Sequence, residues 1–235
     1  MKKFVVEHID LFGERSRPVT DADCDLLAVN ATNEYHILRH YSDMAEEYTN
    51  SLIGREYEYY DHATRTLVSS IISMDDIPLA FQTKGSKFYG GIKGLENPRE
   101  IITYVKNELR DRIVRDGLFW ICKPTHDFLI FSITHSEHVG GKDFVTVASL
   151  TQDQKRNIKT VPRSVREEIM FRTVSGVPKM PTNRFVVEIN YFPGKEFAYM
   201  TAYPGEVGPP FPDIGQSEEE YEYNKRYTDA HVFLE

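Results

Sequence analysis

The sequence predicts an α+β fold, a mainly antiparallel sheet with helices packed on one face. Three observations carry that expectation. Strand-like segments at residues 118–122, 127–134 and 144–150 follow one another, the first two through a short turn, as antiparallel neighbours do. A hairpin pattern occupies residues 183–204, around the turn Phe192-Pro193-Gly194-Lys195. A helix with both ends marked begins at Asn97-Pro98, an N-cap followed by proline at the first helical position, and stops before Gly117.

In chain order, residues 4–12 alternate loosely and read as an edge strand, closed by Gly13 and the Arg17-Pro18 step. Thr20-Asp21-Ala22-Asp23 reads as a helix start, with acids where the helix dipole favours them. Thr32 or Asn33 is expected to cap a helix reaching about Leu52 and ended by Gly54, since Tyr35, Leu38, Tyr41, Met44, Ala45 and Tyr48 recur at three- and four-residue steps. Residues 66–74 are β-branched enough to suit strand or helix alike. The glycine-bearing stretch 84–94 separates the halves. The helix after Asn97 has the apolar stripe Ile101, Ile102, Val105, Leu109 and Ile113. Ser164 is expected to open a further helix through about Arg172.

In the hairpin, Phe185, Val187, Ile189 and Tyr191 alternate with Val186, Glu188 and Asn190, and Phe197, Tyr199, Thr201 and Tyr203 share a face of the returning strand. The loop that follows is stiffened by prolines at 204, 209, 210 and 212 and is expected to be ordered. Its Gly205-Glu206-Val207-Gly208 portion is expected to border the main pocket. The chain is expected as one α+β unit, 1–235. A lobe boundary, if present, would fall near 84–96, between a helical lobe 1–83 and a sheet lobe 97–212 with an acidic tail 213–235.

The 235 residues are 40% hydrophobic, enough for a sizeable core. No apolar run approaches the roughly 20 residues that span a bilayer, and Met1-Lys2-Lys3 precedes no signal-peptide core. Cys24 and Cys122 match no metal or redox spacing, so a soluble protein in a reducing cytoplasm is expected. Leu234-Glu235 has the look of a cloning remnant and is set aside. Net charge is −8, against polyanion binding by the whole surface. Yet residues 151–184 hold eight basic against three acidic side chains, +5, and residues 206–222 hold six acids and no base, −6. The basic part, with Arg163 and Arg166, is expected either to face a phosphate-bearing ligand or to be masked by the tail.

His135-Ser136-Glu137-His138 follows a strand and precedes Gly140-Gly141, a position suited to an acid–base pair because imidazole titrates near neutrality. The plain alternative is a polar turn. His36 and His40 lie one turn apart and read as a solvated helix face, without the ligand set a zinc site needs. Arg184 could clamp a phosphate, with Thr201 and Tyr203 near it, or all three could simply decorate strands. Gly85-Ser86-Lys87 lacks the phosphate-loop frame, and no nucleophile elbow occurs. No metal or cofactor is expected.

A strand ending in His135, a basic segment, Arg184 opening a hairpin and a last strand Met200-Thr201-Ala202-Tyr203-Pro204-Gly205 resemble the superfamily of small metal-independent RNases. That superfamily includes barnase, EndoU-type enzymes, colicin-type RNases and RelE-like toxins. The resemblance covers residues 101–212. It implies a helix packed on an antiparallel sheet, with His135 or His138 as base or acid, Arg184 on the phosphate and Thr201 or Tyr203 assisting transfer to an RNA 2′-OH. The acidic balance and the first hundred residues depart from that pattern. The expected function is therefore that of a non-enzymatic binding or accessory protein of a bacterial or phage system. Its tyrosine-rich runs 57–60 and 220–223 would meet a protein partner, and endoribonuclease-like phosphotransfer is the alternative.

Overall fold

The computed structural model describes residues 15–61, 64, 66–82, 85–162, 170–209 and 217–235. The chain runs β1 (Arg15–Pro18), α1 (Asp21–Asp25), α2 (Ala31–Leu38), α3 (Glu46–Asn50), β2 (Glu56–Asp61), β3 (Thr66–Ile71), α4 (Asp76–Gln82), β4 (Lys87–Phe88) and α5 (Pro98–Arg115). It continues with β5 (Phe119–Cys122), β6 (Asp127–Thr134), β7 (Gly140–Lys142), β8 (Phe144–Thr146), α6 (Gln152–Arg156), β9 (Lys159–Pro162) and β10 (Met170–Val174). The last elements are β11 (Met180–Thr182), β12 (Arg184–Tyr191), β13 (Tyr199–Pro204), α7 (Glu218–Asp229) and β14 (His231–Leu234).

The fold is α+β. Its main sheet has the order β1-β5-β6-β12-β13, antiparallel throughout. Period-2 alternation assigns its faces. Leu129, Phe131 and Ile133 of β6, with Phe185, Val187 and Ile189 of β12, point at α5 and are at most 1% exposed. Helix α5 answers with Ile101, Ile102, Val105 and Leu109, in one apolar cluster that extends from Val19 to Ala202. Each such side chain contributes about 1.5–3 kcal/mol by leaving water. Asn97 Oδ1 caps α5 by accepting the Glu100 N–H at 3.1 Å, and Gly117, at φ 65°, turns the chain past its end.

The helix expected from Thr32 or Asn33 to Leu52 is instead two helices. Asn30 caps α2, accepting from Asn33 N at 2.9 Å. The helix stops after Leu38 because the next residues pair elsewhere: His40 O accepts Phe88 N at 2.7 Å, and Tyr41 bridges Phe88. Tertiary pairing outweighs helical periodicity there. Thr32 and Asn33 are buried ties, with Asn33 bonded to Ala28 O, Ala198 O and Met200 N at 2.8–3.0 Å. Glu34, fully buried beside them, pairs with Arg55 at 3.0 Å and with Arg99.

Three further expectations change. Met170–Val174 is strand, paired with β9 antiparallel and β14 parallel, not the end of a helix from Ser164; residues 163–169 lie outside those described. Strand β8 ends at Thr146 and a single 3-10 turn follows, because Val147 N donates to Ala230 O at 2.9 Å. Leu234, set aside above, is structured: it is 3% exposed, pairs with Val174, and its N–H donates to Asp143 O at 2.7 Å. The last residues thus supply an inner strand of a four-stranded sheet, β8-β14-β10-β9. Residues 66–71 resolve to strand, and the edge strand expected at 4–12 lies outside the described residues.

A third sheet, β11-β7-β4, connects these units. Here Gly140-Gly141 has a packing reason. A Cβ on Gly140 would sit 2.3 Å from Lys87 O and 2.4 Å from Pro204 Cγ.

Candidate functional site

The outer face of the main sheet, opposite α5, carries the side chains that alternate with the buried set. Ile130 of β6, Glu188 of β12 and Tyr203 of β13 floor a cleft of about 790 Å³ there. The four-stranded sheet and α7 form its far wall through Phe144, His231, Asn224 and Tyr227, and His40, Ser86 and Asp143 close one end. Pro204–Pro209 form the rim, so the loop expected to border the main pocket borders the larger of the two hollows described. Residues 210–216 lie outside the described set.

The polar groups of the floor are joined in short chains. Tyr203 Oη donates to Glu188 Oε1 at 2.6 Å. Burial pushes the Glu188 carboxyl above the usual carboxylate range, against the Tyr203 hydrogen bond and the charge of Lys123. Burial and the adjacent Glu188 also push the Tyr203 phenol above its ordinary value. The His40 ring lies 5.4 Å from that of Tyr203. Burial, aided by Lys87 and Arg39, lowers His40 to about 4, so it is neutral near pH 7. Its Nδ1 faces Ser86 O at 3.3 Å. A carbonyl only accepts, so the proton is on Nδ1 and Nε2 is an acceptor. Ser86 Oγ donates to Asp143 Oδ1 at 2.6 Å, and Lys142 Nζ reaches Glu206 Oε1 at 3.3 Å.

The wall is aromatic. Tyr227 and His231 stack at 4.0 Å, and Phe144 stacks on His231 at 4.8 Å. Asn224, one turn before Tyr227 on α7, is 1% exposed, and its Oδ1 has no hydrogen-bond partner among the described residues. An acceptor buried that way costs about 1–3 kcal/mol.

Of the residues singled out in the sequence, Tyr203 lies in this cleft. Thr201 shares its face but lines a separate, smaller hollow with His36, Asn190 and Tyr199. His135 is on the other side of the sheet: its ring contacts Tyr104 of α5 at 6.0 Å, and its Nδ1 accepts Glu137 N at 3.1 Å. His138 is exposed. Arg184 is half-buried at the strand end, opposite Thr134. The histidines and the hairpin groups therefore do not converge. Alternation sends His135 to the face of Ile133, and Thr201 and Tyr203 to the face of Glu188. Arg163 and Arg166 lie outside the described residues.

His40 and His36 are half-buried, not a solvated face, and His36 is likewise lowered to about 4 by burial. In the tyrosine run, Tyr57 is 8% exposed and packs at a tilt against Tyr35, ring centroids 4.7 Å apart, while Tyr59 is exposed. Of the acidic tail, residues 217–235 are described. Ser217 caps α7 in a capping box with Glu220, and Arg172 of the basic segment donates to Asp229 O. Among the described residues no three His, Cys, Asp or Glu side chains group as metal ligands, and no helix is long and apolar enough to cross a membrane.

Glu188, His40 and Asn224 were not foreseen as site residues. A carboxylate facing outward in an otherwise apolar strand was the only signal, and it is equally the signal of a solvated strand. No protein-family model, curated protein or solved structure matches this chain.

Proposed function

We propose that the chain is a non-enzymatic binding protein that holds a small organic ligand in the cleft between the main sheet and the C-terminal unit. The observation that carries this reading is the cleft itself. At about 790 Å³ it is of the size that receives small molecules, apolar and aromatic in its walls with a few convergent polar groups. Holding is favoured over turnover because the polar groups are tied to one another: Tyr203 to Glu188, His40 to Ser86, Ser86 to Asp143. None forms the nucleophile, base and orienting group of a catalytic relay.

The test is a fragment library titrated against the ¹⁵N-labelled chain, with Ile130→Trp as a variant that fills the cleft from its floor. Ligands are expected to shift the amides of Tyr203, Val207 and Tyr227, and Ile130→Trp to abolish those shifts while preserving the fold. A library whose shifts never gather at the cleft would refute the reading.

A further inference from the structure

We infer that the cleft selects an organic cation, a compound that carries an ammonium or guanidinium group on an aromatic or aliphatic body. This rests on the reading of the cleft as a small-molecule site and names the class of ligand for it.

The floor's own donors are already engaged: Tyr203 Oη–H with Glu188, Ser86 Oγ–H with Asp143, and His40 Nδ1–H with Ser86 O. On the wall, His231 Nδ1–H is engaged with Tyr227 O at 2.7 Å. Acceptors remain. Glu188 uses Oε1 for Tyr203, and its other oxygen has no partner among the described residues. His40 presents Nε2 as an acceptor. Asn224 Oδ1 is buried and unpartnered on the wall. A ligand rich in N–H donors satisfies these groups, and one rich in acceptors leaves them unpaired.

Charge points the same way. The lining holds Lys123 and Lys142 against Asp143, Glu188, Glu206 and Glu220; Asp143 is paired with Lys179 at 3.7 Å, which leaves Glu188 and Glu220 as the carboxyl groups without an ion-pair partner among the described residues. Lys142 is paired with Glu206, and Lys123 lies over the Phe128 ring at 4.8 Å. Aromatic faces complete the set. Phe144, Tyr227 and Tyr203 offer π-surfaces, which attract cations and stack on flat bodies.

The test uses three probes of nearly one shape: tryptamine, its neutral isostere 3-propylindole and its anionic counterpart indole-3-propionate. Each is titrated calorimetrically into the full chain at pH 7.5, with cleft occupancy mapped by amide shifts and by Ile130→Trp. Tryptamine is expected to bind at least about tenfold tighter than either counterpart. Glu188→Gln is expected to remove most of that preference, and Asn224→Leu to weaken tryptamine alone. The ranking on the unaltered chain decides the matter even where a variant fails to fold. Equal affinities, or a preference for indole-3-propionate, would overturn the inference and leave the cleft as a binding site. Absence of tryptamine binding would overturn it also, and the fragment library then shows separately whether the cleft binds anything.

Discussion

His36 and His40 lie in positions where a charged imidazole is disfavoured, each lowered to about 4 against an ordinary 6.5. His36 packs on Tyr57 and bonds to the Glu58 backbone. His40 faces Tyr203, Ser86 O and the cations Lys87 and Arg39, with no carboxylate bonded to it. The sign follows directly. The unfolded chain takes up protons at these sites below about pH 6.5 and the folded chain does not until about pH 4. Stability is therefore full above pH 6.5 and falls as pH drops to 4, by up to about 3 kcal/mol for each histidine. Glu188, raised, works in the opposite direction, favouring the fold in acid. Asp23, Glu58 and Asp76, lowered, add their losses only below their ordinary range. Urea unfolding free energies between pH 7.5 and 4.5 are expected to decline, and His40→Gln to reduce that decline by about half. An unchanged slope in the variant would show that His40 titrates normally in the fold.

At the scale of elements, α2 owes its place to side chains that its helical pattern does not reveal. Its core-facing residues include Asn33, which replaces a missing strand neighbour for β13 by accepting Met200 N and donating to Ala198 O. Asn33→Ala leaves both backbone groups buried without partners. The expected cost is about 2–4 kcal/mol, well beyond the loss of one solvated hydrogen bond. Thermal and urea denaturation measure it, and a change below about 1 kcal/mol would mean water replaces the amide. By contrast α5 stands on local signals, and both its ends were legible: Asn97 as cap, Pro98 after it, Gly117 beyond. The β12–β13 hairpin was legible for the same reason. Its turn Phe192-Pro193-Gly194-Lys195 places Gly194 at φ 85°, an angle other residues rarely adopt.

Across the whole molecule, two sheets meet at Gly140. Its strand pairs with β4 and β11 while its Cα faces Pro204 of the main sheet. Any side chain there separates the sheets, and Lys87 O is backbone that cannot swing aside. Gly140→Ala is expected to destabilise the protein by about 1–3 kcal/mol or more, as overpacking does. It should also widen the cleft, since Pro204 carries the rim loop and precedes it directly. A urea midpoint within error of the unaltered chain would refute the close packing. Gly141→Ala meets one atom, Lys179 Cβ, at 2.9 Å, against three atoms within 2.9 Å at Gly140, and is expected to cost less.

The sequence by itself determined the α+β class, helix α5, strands β5, β6, β12 and β13, and that Gly205-Glu206-Val207-Gly208 borders the cleft. Caps, prolines, glycines and period-2 alternation act on neighbours in the chain, so their outcome is readable locally. Tertiary structure alone decided that α2 ends where Tyr41 meets Phe88, and that Met170–Val174 and His231–Leu234 are strands of one sheet. It alone decided the cleft as well. His40 just after α2, Glu188 on β12 and the pair Asn224 and Tyr227 on α7 come from three separate parts of the chain, and only strand pairing and sheet docking bring them to one cleft. His135 and Tyr203 show the same rule in reverse. They were read as companions, yet each obeys its own strand's alternation, and the register of β6, β12 and β13 turns those alternations to opposite faces.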